Sequence, residues 1–329
     1  MKKWLARCTF VALLCGAVVW IAPAHAQQWM PSRPVAFVVG SAAGGGIDLT
    51  ARLLQRMWEQ SQIVKPPVVV INKPGAGNTV AWKYLNERGG DGHAIAVGTA
   101  NLVSNPVMGK NLLGYREVTP LALLFDDYFI LMVRTDSALK SIADVKQRLL
   151  QDPAALAFGF GPGIGAGTHI AAAVAVKAMG VDVKKGRFIP YRNAGEAVAG
   201  MLSGQIDIVS GTAVTAPPFI GSGRVRAIGV IAPRRLPGQL AQVATVKEQG
   251  VDANFINWRG VVGPKDMGKR QAAFWVRALE QVSRSEAWQK ELERNFWSKN
   301  FKTGSAFDRF LRDQEDAFRL IWAEIGVHN

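Results

Sequence analysis

Two glycine-rich stretches carry the residues best suited to chemistry in this 329-residue sequence. In residues 37–55, FVVGSAAGGGIDLTARLLQ, an apolar run leads through Ala42, Ala43, Gly44, Gly45 and Gly46 into a helical pattern. Small side chains let the backbone approach a ligand closely. Unpaired N–H groups at a helix start, aligned with the helix dipole, favour an anion such as a carboxylate. The same residues fit a tight strand-to-helix turn in which Asp48 stabilises the first helical turn, and the sequence leaves both readings open.

Residues 157–179, AFGFGPGIGAGTHIAAAVAVKAM, repeat the pattern, with Gly165, Ala166 and Thr168 at the turn. Gly161-x-Gly163-x-x-Ala166, with Asp182 about twenty residues on, matches a dinucleotide fingerprint on paper, so a secreted oxidoreductase is the alternative reading. The mid-chain position and the lack of a clean strand ending at Asp182 favour a second set of backbone donors that faces the first and clamps a ligand.

Other polar groups follow apolar runs. Thr99 and Asn101 come after the third run, Tyr191-Arg192-Asn193 and Gly195 after Ile189, and Ser210-Gly211-Thr212 after residues 206–209. In open α/β sheets ligands sit beyond the carboxyl ends of strands, where all of these fall. Arg192 suits either a charge-assisted contact to a carboxylate or plain solvation. Catalytic machinery is hard to assemble: no Gly-x-Ser-x-Gly or His-Glu-x-x-His occurs, and beyond residue 26 the histidines are His93, His169 and His328. His169, at a helix start, suits loop bracing better than proton transfer. No catalytic residue, metal or cofactor is expected.

The elements that must position these loops alternate. Apolar runs at 35–39, 68–71, 94–97, 129–133 and 157–160, with further strands at 186–189, 206–209 and 225–231, are separated by helical patterns at 49–60, 79–87, 142–150, 169–179, 196–203 and 269–282. This predicts an α/β protein with mostly parallel sheets covered on both faces. No linker divides the chain in two, which favours interleaved lobes: residues 27–125 with 230–329, against 126–229. Aromatic anchors from Gln271 to Ile325 predict helices packing on the first lobe.

Lys2, Lys3 and Arg7 precede an apolar run ending in Pro23 and Ala24-His25-Ala26, the pattern of a secretory leader over residues 1–26 cut after Ala26. Arg7 and Leu14 precede Cys8 and Cys15, the only cysteines, where lipidation would want a small residue. The exported chain then has no thiol, and its net charge falls from +14 to +11 with the three basic residues of the leader. Such a balance favours anionic partners, but scattered Lys and Arg and the export signal argue against nucleic acid.

In combination, the stretches 31–54 (PSRPVAFVVGSAAGGGIDLTARLL), 70–81 (VINKPGAGNTVA), 90–100 (GDGHAIAVGTA), 189–209 (IPYRNAGEAVAGMLSGQIDIV) and 221–235 (GSGRVRAIGVIAPRR), with Trp258 in NWRGVVGP, resemble the tripartite tricarboxylate transporter receptor family of Bug-type solute-binding proteins. The resemblance implies a periplasmic, type II periplasmic-binding-protein-like fold, two α/β lobes closing over a cleft. It implies a carboxylic acid ligand, membrane transporter subunits or a sensor as partners, and a monomer. By position the ligand contacts would be Ala43, Gly44 and Gly45, with the 163–169 loop and the 191–195 turn opposite. The chain departs from the family at Ala166, at Thr168-His169, after Arg192 and at Gly211.

Overall fold

The structure, a computed structural model, describes residues 28–109, 113–161 and 164–325. The expected leader, Gly163 and His328 lie outside the described residues. The chain begins β1 (Val35–Val39), α1 (Gly46–Ser61), β2 (Val68–Asn72), α2 (Thr79–Asn86), β3 (Ala94–Thr99), α3 (Asn101–Val107) and β4 (Thr119–Asp127). It continues through β5 (Phe129–Arg134), α4 (Ile142–Gln151), β6 (Ala157–Phe160), α5 (Gly167–Ala178), β7 (Arg187–Pro190), α6 (Ala194–Leu202), β8 (Ile208–Thr212), α7 (Pro217–Gly221) and β9 (Val225–Ile231). The last stretch holds β10 (Asn257–Gly263), α8 (Lys269–Arg284), α9 (Glu286–Arg294), β11 (Ser298–Thr303) and α10 (Gly304–Ile325).

These strands form two sheets, ordered β11-β4-β10-β3-β1-β2 and β7-β6-β8-β5-β9. The chain leaves the first sheet at Asp127, enters the second at Phe129, and returns through residues 232–256 to Asn257. Tyr128 alone separates the sheets at the first crossing. The expectation of mostly parallel sheets is corrected: only β1–β2, β1–β3, β6–β7 and β6–β8 are parallel. The strands nearest the crossings, β4, β5, β9 and β10, pair antiparallel, because a chain that passes between sheets and comes back must run against its outgoing direction.

Burial follows the alternation of faces. On one face of the first sheet Phe37, Trp58, Phe125, Trp275 and Trp288 build a core under α1, α8 and α9. Tyr128, Ile130, Met201 and Val209 build one under α6. A third core runs through both halves, with Phe129 stacked on Phe255 at 5.3 Å and Phe255 edge-on to Phe318 of α10 at 5.4 Å. Each fully buried aromatic of this kind contributes on the order of 2–3 kcal/mol.

Candidate functional site

The helix starts differ in how their first turns are capped. Ser141, Asn193 and Ser285 cap α4, α6 and α9 by accepting first-turn N–H bonds. α1 and α5 begin at Gly45 and Ala166, where no side chain caps the turn, as is also the case at α2, α3 and α7.

The two turns share one backbone. Gly44 has φ +81° and Gly165 +79°, and the next residues, Gly45 (−76°, 162°) and Ala166 (−66°, 157°), are extended. In each, the glycine N–H donates to a side chain four residues on: Gly44 N to Asp48 Oδ2 at 2.9 Å, and Gly165 N to His169 Nδ1 at 3.1 Å. A left-handed φ at these positions suits glycine and places the N–H where the brace can reach it. Two lobes thus build the same turn, one braced by a carboxylate and the other by an imidazole.

Asp48 is almost wholly buried and also accepts from Arg52 Nε at 2.8 Å and Asn72 Nδ2 at 2.9 Å. Burial pushes its carboxyl up, but the bonds from Arg52, Gly44 and Asn72 together outweigh burial and hold it below the ordinary carboxylate value. Asn72 Nδ2 also donates to Ser41 O, tying the loop to β2. The turn and the ligand-facing readings of this loop are therefore compatible. Gly44 N–H is consumed by the brace and Gly45 N–H by Ala42 O at 3.3 Å. Among the described residues, the N–H groups of Ala43, Gly46 and Ile47 make no hydrogen bond. The same holds for those of Gly167 and Thr168 in the second turn.

The turns belong to different lobes, and each helix start lies close to a residue of the other lobe. A Cβ added at Gly46 would meet Val214 of the second lobe at 3.7 Å, and one at Gly167 would meet Phe129 at 2.9 Å and Asn257 Oδ1 at 3.8 Å. Ala42, Ala43 and Gly44 stay exposed, as does Ile164.

The remaining residues expected here divide into braces and surface groups. Thr99 is buried and accepts from Asn78 Nδ2 at 3.0 Å and from Asn101 N, while Asn101 is half-buried. Thr168 Oγ1 donates to Gly161 O at 2.8 Å, and Ser210 Oγ to Thr168 O at 2.7 Å, so both hydroxyls weld α5 to its sheet. Gly211 is buried against Met132. Arg192 is turned outward, its side chain 88% exposed and paired with Glu196 at 2.8 Å, and Gly195 is exposed beside it. The 191–195 turn nevertheless abuts the loop, because Gly161 lies so close to Asn193 that a Cβ there would fall 2.7 Å from its backbone.

One group escaped the sequence. Arg259 of β10 is 6% exposed and lies opposite Thr99 in the antiparallel pairing of β10 with β3, at the strand edge from which the glycine loop departs. Its Nη1 donates to Asn257 Oδ1 at 2.6 Å and Trp258 O at 3.1 Å. Asn257 Nδ2 donates to Asp127 Oδ2 at 2.9 Å, and Arg259 Nη2 lies 3.9 Å from the same oxygen. Burial raises the Asp127 carboxyl to about 6 against the pull of Arg259, and burial likewise lowers the guanidinium against Asp127. A single arginine inside an apolar-looking segment, NWRGVVG, was the available signal.

The oxidoreductase alternative is not supported. Asp182 caps the turn that precedes β7 by accepting from Lys184 N, so it lies at the wrong end of the next strand to meet a ribose hydroxyl. Among the described residues no cluster of three metal-ligating side chains occurs.

Two interleaved α/β lobes, each with the same glycine turn at a helix start, define the class of bilobal solute-binding proteins. The chain belongs to the tripartite tricarboxylate transporter receptor family, whose model matches residues 51–327. It is 27% identical to a UPF0065 protein of Bordetella pertussis over 329 residues, covering 98% of this chain and 97% of that one. Its fold is similar to the periplasmic binding protein BugD, with a TM-score of 0.77 at 25% identity over 91% of this chain and 99% of BugD. It also matches Rpa4515 of R. palustris, solved with adipate, with a TM-score of 0.79 at 20% identity over 90% and 98% of the two chains.

Proposed function

We propose that this solute-binding receptor captures a small carboxylate-bearing solute in the periplasm, after cleavage of its leader behind Ala26, and takes no part in catalysis. Residues 27–125 with 230–329 form one jaw and 126–229 the other, and they rotate about Tyr128 and the segment beyond Ile231. The ligand carboxylate meets Ala43 N–H and the open first-turn donors of α1, and the second lobe brings up those of α5. Closure shifts a population and excludes water. Membrane subunits of a tripartite transporter, or a sensor, then receive the closed form.

The observation that carries this reading is the pair of uncapped helix starts, built on twin glycine turns from opposite lobes. Adipate in the structural neighbour Rpa4515 agrees with a carboxylate guest. Thermal unfolding with a panel of carboxylic acids is the test. A bound acid at about 100 times its Kd should add about 2.7 kcal/mol to the folded state, whereas nicotinamide cofactors should add nothing. Stabilisation by polyanions alone would instead mark a surface-binding protein.

A further inference from the structure

We infer that Arg259 is the charged contact of the ligand site, and that it selects solutes carrying a second carboxylate over those carrying one. The inference rests on the receptor reading above and names a residue of the same cleft.

Arg259 has five N–H donors, and the two on Nη1 are taken by Asn257 Oδ1 and Trp258 O. Its Nη2 is 3.9 Å from Asp127, beyond hydrogen-bond reach. Asp127 meanwhile is satisfied by neutral donors, Tyr128 N and Asn257 Nδ2, each at 2.9 Å. Asn257 therefore stands between the two charges and hands each a neutral partner. What remains is the Nε–Nη2 edge of the guanidinium, the edge that matches a carboxylate bidentately. Neither of these atoms makes a hydrogen bond among the described residues, and neither is among the fully buried polar atoms left without a partner, so this edge of a largely buried side chain keeps some accessible surface.

Location supports the assignment. Arg259 shares the strand edge with Thr99, and its partner Asn257 Oδ1 sits 3.8 Å from where a Cβ on Gly167 would be, in the first turn of α5. The open edge thus lies on the floor between the lobes, beside the second set of free N–H groups. A purely structural role explains the residue poorly, because a buried charge with one distant counterion is costly and an apolar side chain of similar volume would pack there at no such penalty. A ligand carboxylate at Nε and Nη2 supplies the missing acceptor while α1 holds the other end.

The test titrates the protein by calorimetry with succinate, glutarate and adipate and with the half-amide of each, which keeps the length and removes one charge. Wild type should prefer the best dianion over its half-amide by about 10- to 100-fold, the worth of a charge-assisted bidentate contact. In the double variant Arg259→Gln/Asp127→Asn, which keeps the neutral hydrogen-bonding shape and strands no charge, that preference should fall to within about 3-fold. Arg259→Lys, which keeps the charge and loses the fork, should fall between them and decides the matter should the double variant not fold. A folded variant of either kind that retains the full preference overturns the assignment, as does a wild type that binds dianion and half-amide equally, which would leave the receptor reading standing. Absence of any binding to wild type removes both.

Discussion

Asp48→Asn isolates the brace on the first turn with a change of one atom. Oδ2 accepts from both Gly44 N and Arg52 Nε, and Oδ1 accepts from Asn72 Nδ2. An asparagine that keeps its oxygen toward Gly44 and Arg52 points its own NH2 at the Asn72 amide, donor to donor. Asn72 cannot turn over cheaply, because the same Nδ2 donates to Ser41 O at 2.9 Å. The opposite asparagine rotamer sets an NH2 against two donors instead of one. Losing the charge on the Gly44 bond costs about 1 kcal/mol and the donor conflict about 1–2 kcal/mol, while Arg52, 45% exposed, contributes least. The variant should therefore be about 2–3 kcal/mol less stable at pH 7. Because the folded carboxyl lies below its ordinary value, this contribution is complete above about pH 4 and disappears as pH falls through the folded value. Denaturant unfolding followed by tryptophan fluorescence, at pH 7 and again near pH 3, measures the gap. A difference under about 0.5 kcal/mol at pH 7, or one undiminished at pH 3, refutes the reasoning.

Gly44→Val should abolish ligand binding yet leave the fold: a Cβ there meets nothing within 4 Å, but φ +81° costs a β-branched residue about 1–3 kcal/mol, and calorimetry showing unchanged affinity would reject the site. Ser210→Ala removes the hydroxyl bond to the buried Thr168 carbonyl, which keeps its intrahelical partner, and should cost about 0.5–1.5 kcal/mol, with faster hydrogen exchange at the start of α5; unchanged exchange there would show that the hydroxyl braces nothing. Glu315, held at about 2 chiefly by Arg116 and, against burial, by Arg319 and Tyr115, should contribute about 1–3 kcal/mol at pH 7 that fades between about pH 4.5 and 2, so Glu315→Gln should match wild type in stability only in acid. Intact mass of the protein recovered from the periplasm should begin at Gln27, and a mass that includes Met1 would exclude cleavage.

Legibility in the sequence followed how local each cause was. The units β1–α1 and β6–α5 could be read because an unbroken apolar run, a glycine turn and a helical period follow one another within about twenty residues. Missing from that reading were β4, β10 and β11. Residues 119–127 of β4 begin with Thr-Pro and end in two aspartates, β11 is an edge strand carrying Lys299 and Lys302, and β10 contains Asn257 and Arg259. Their burial is offset by partners far away in sequence, such as Asn300 on Asp126, which no local pattern reveals. Likewise, the glycines near Gly44 announced a turn, but not that Asp48 would take up its N–H.

The twin turns also account for why the motifs point to a class of guest and leave its identity open. A helix N-terminus offers main-chain donors and a dipole to any carboxylate, and glycine turns supply them whatever the neighbouring side chains are. Discrimination among acids must then come from groups that the motif does not contain, set where the two lobes meet. In this chain those groups lie on β10, on the crossing at Asp127 and at the base of α5, elements joined only by the fold. The general logic of the turn and the particular choice of solute are written in different parts of the chain, so substitutions at Gly44 and at Arg259 should separate them: the first removing binding altogether, the second changing which acid is preferred.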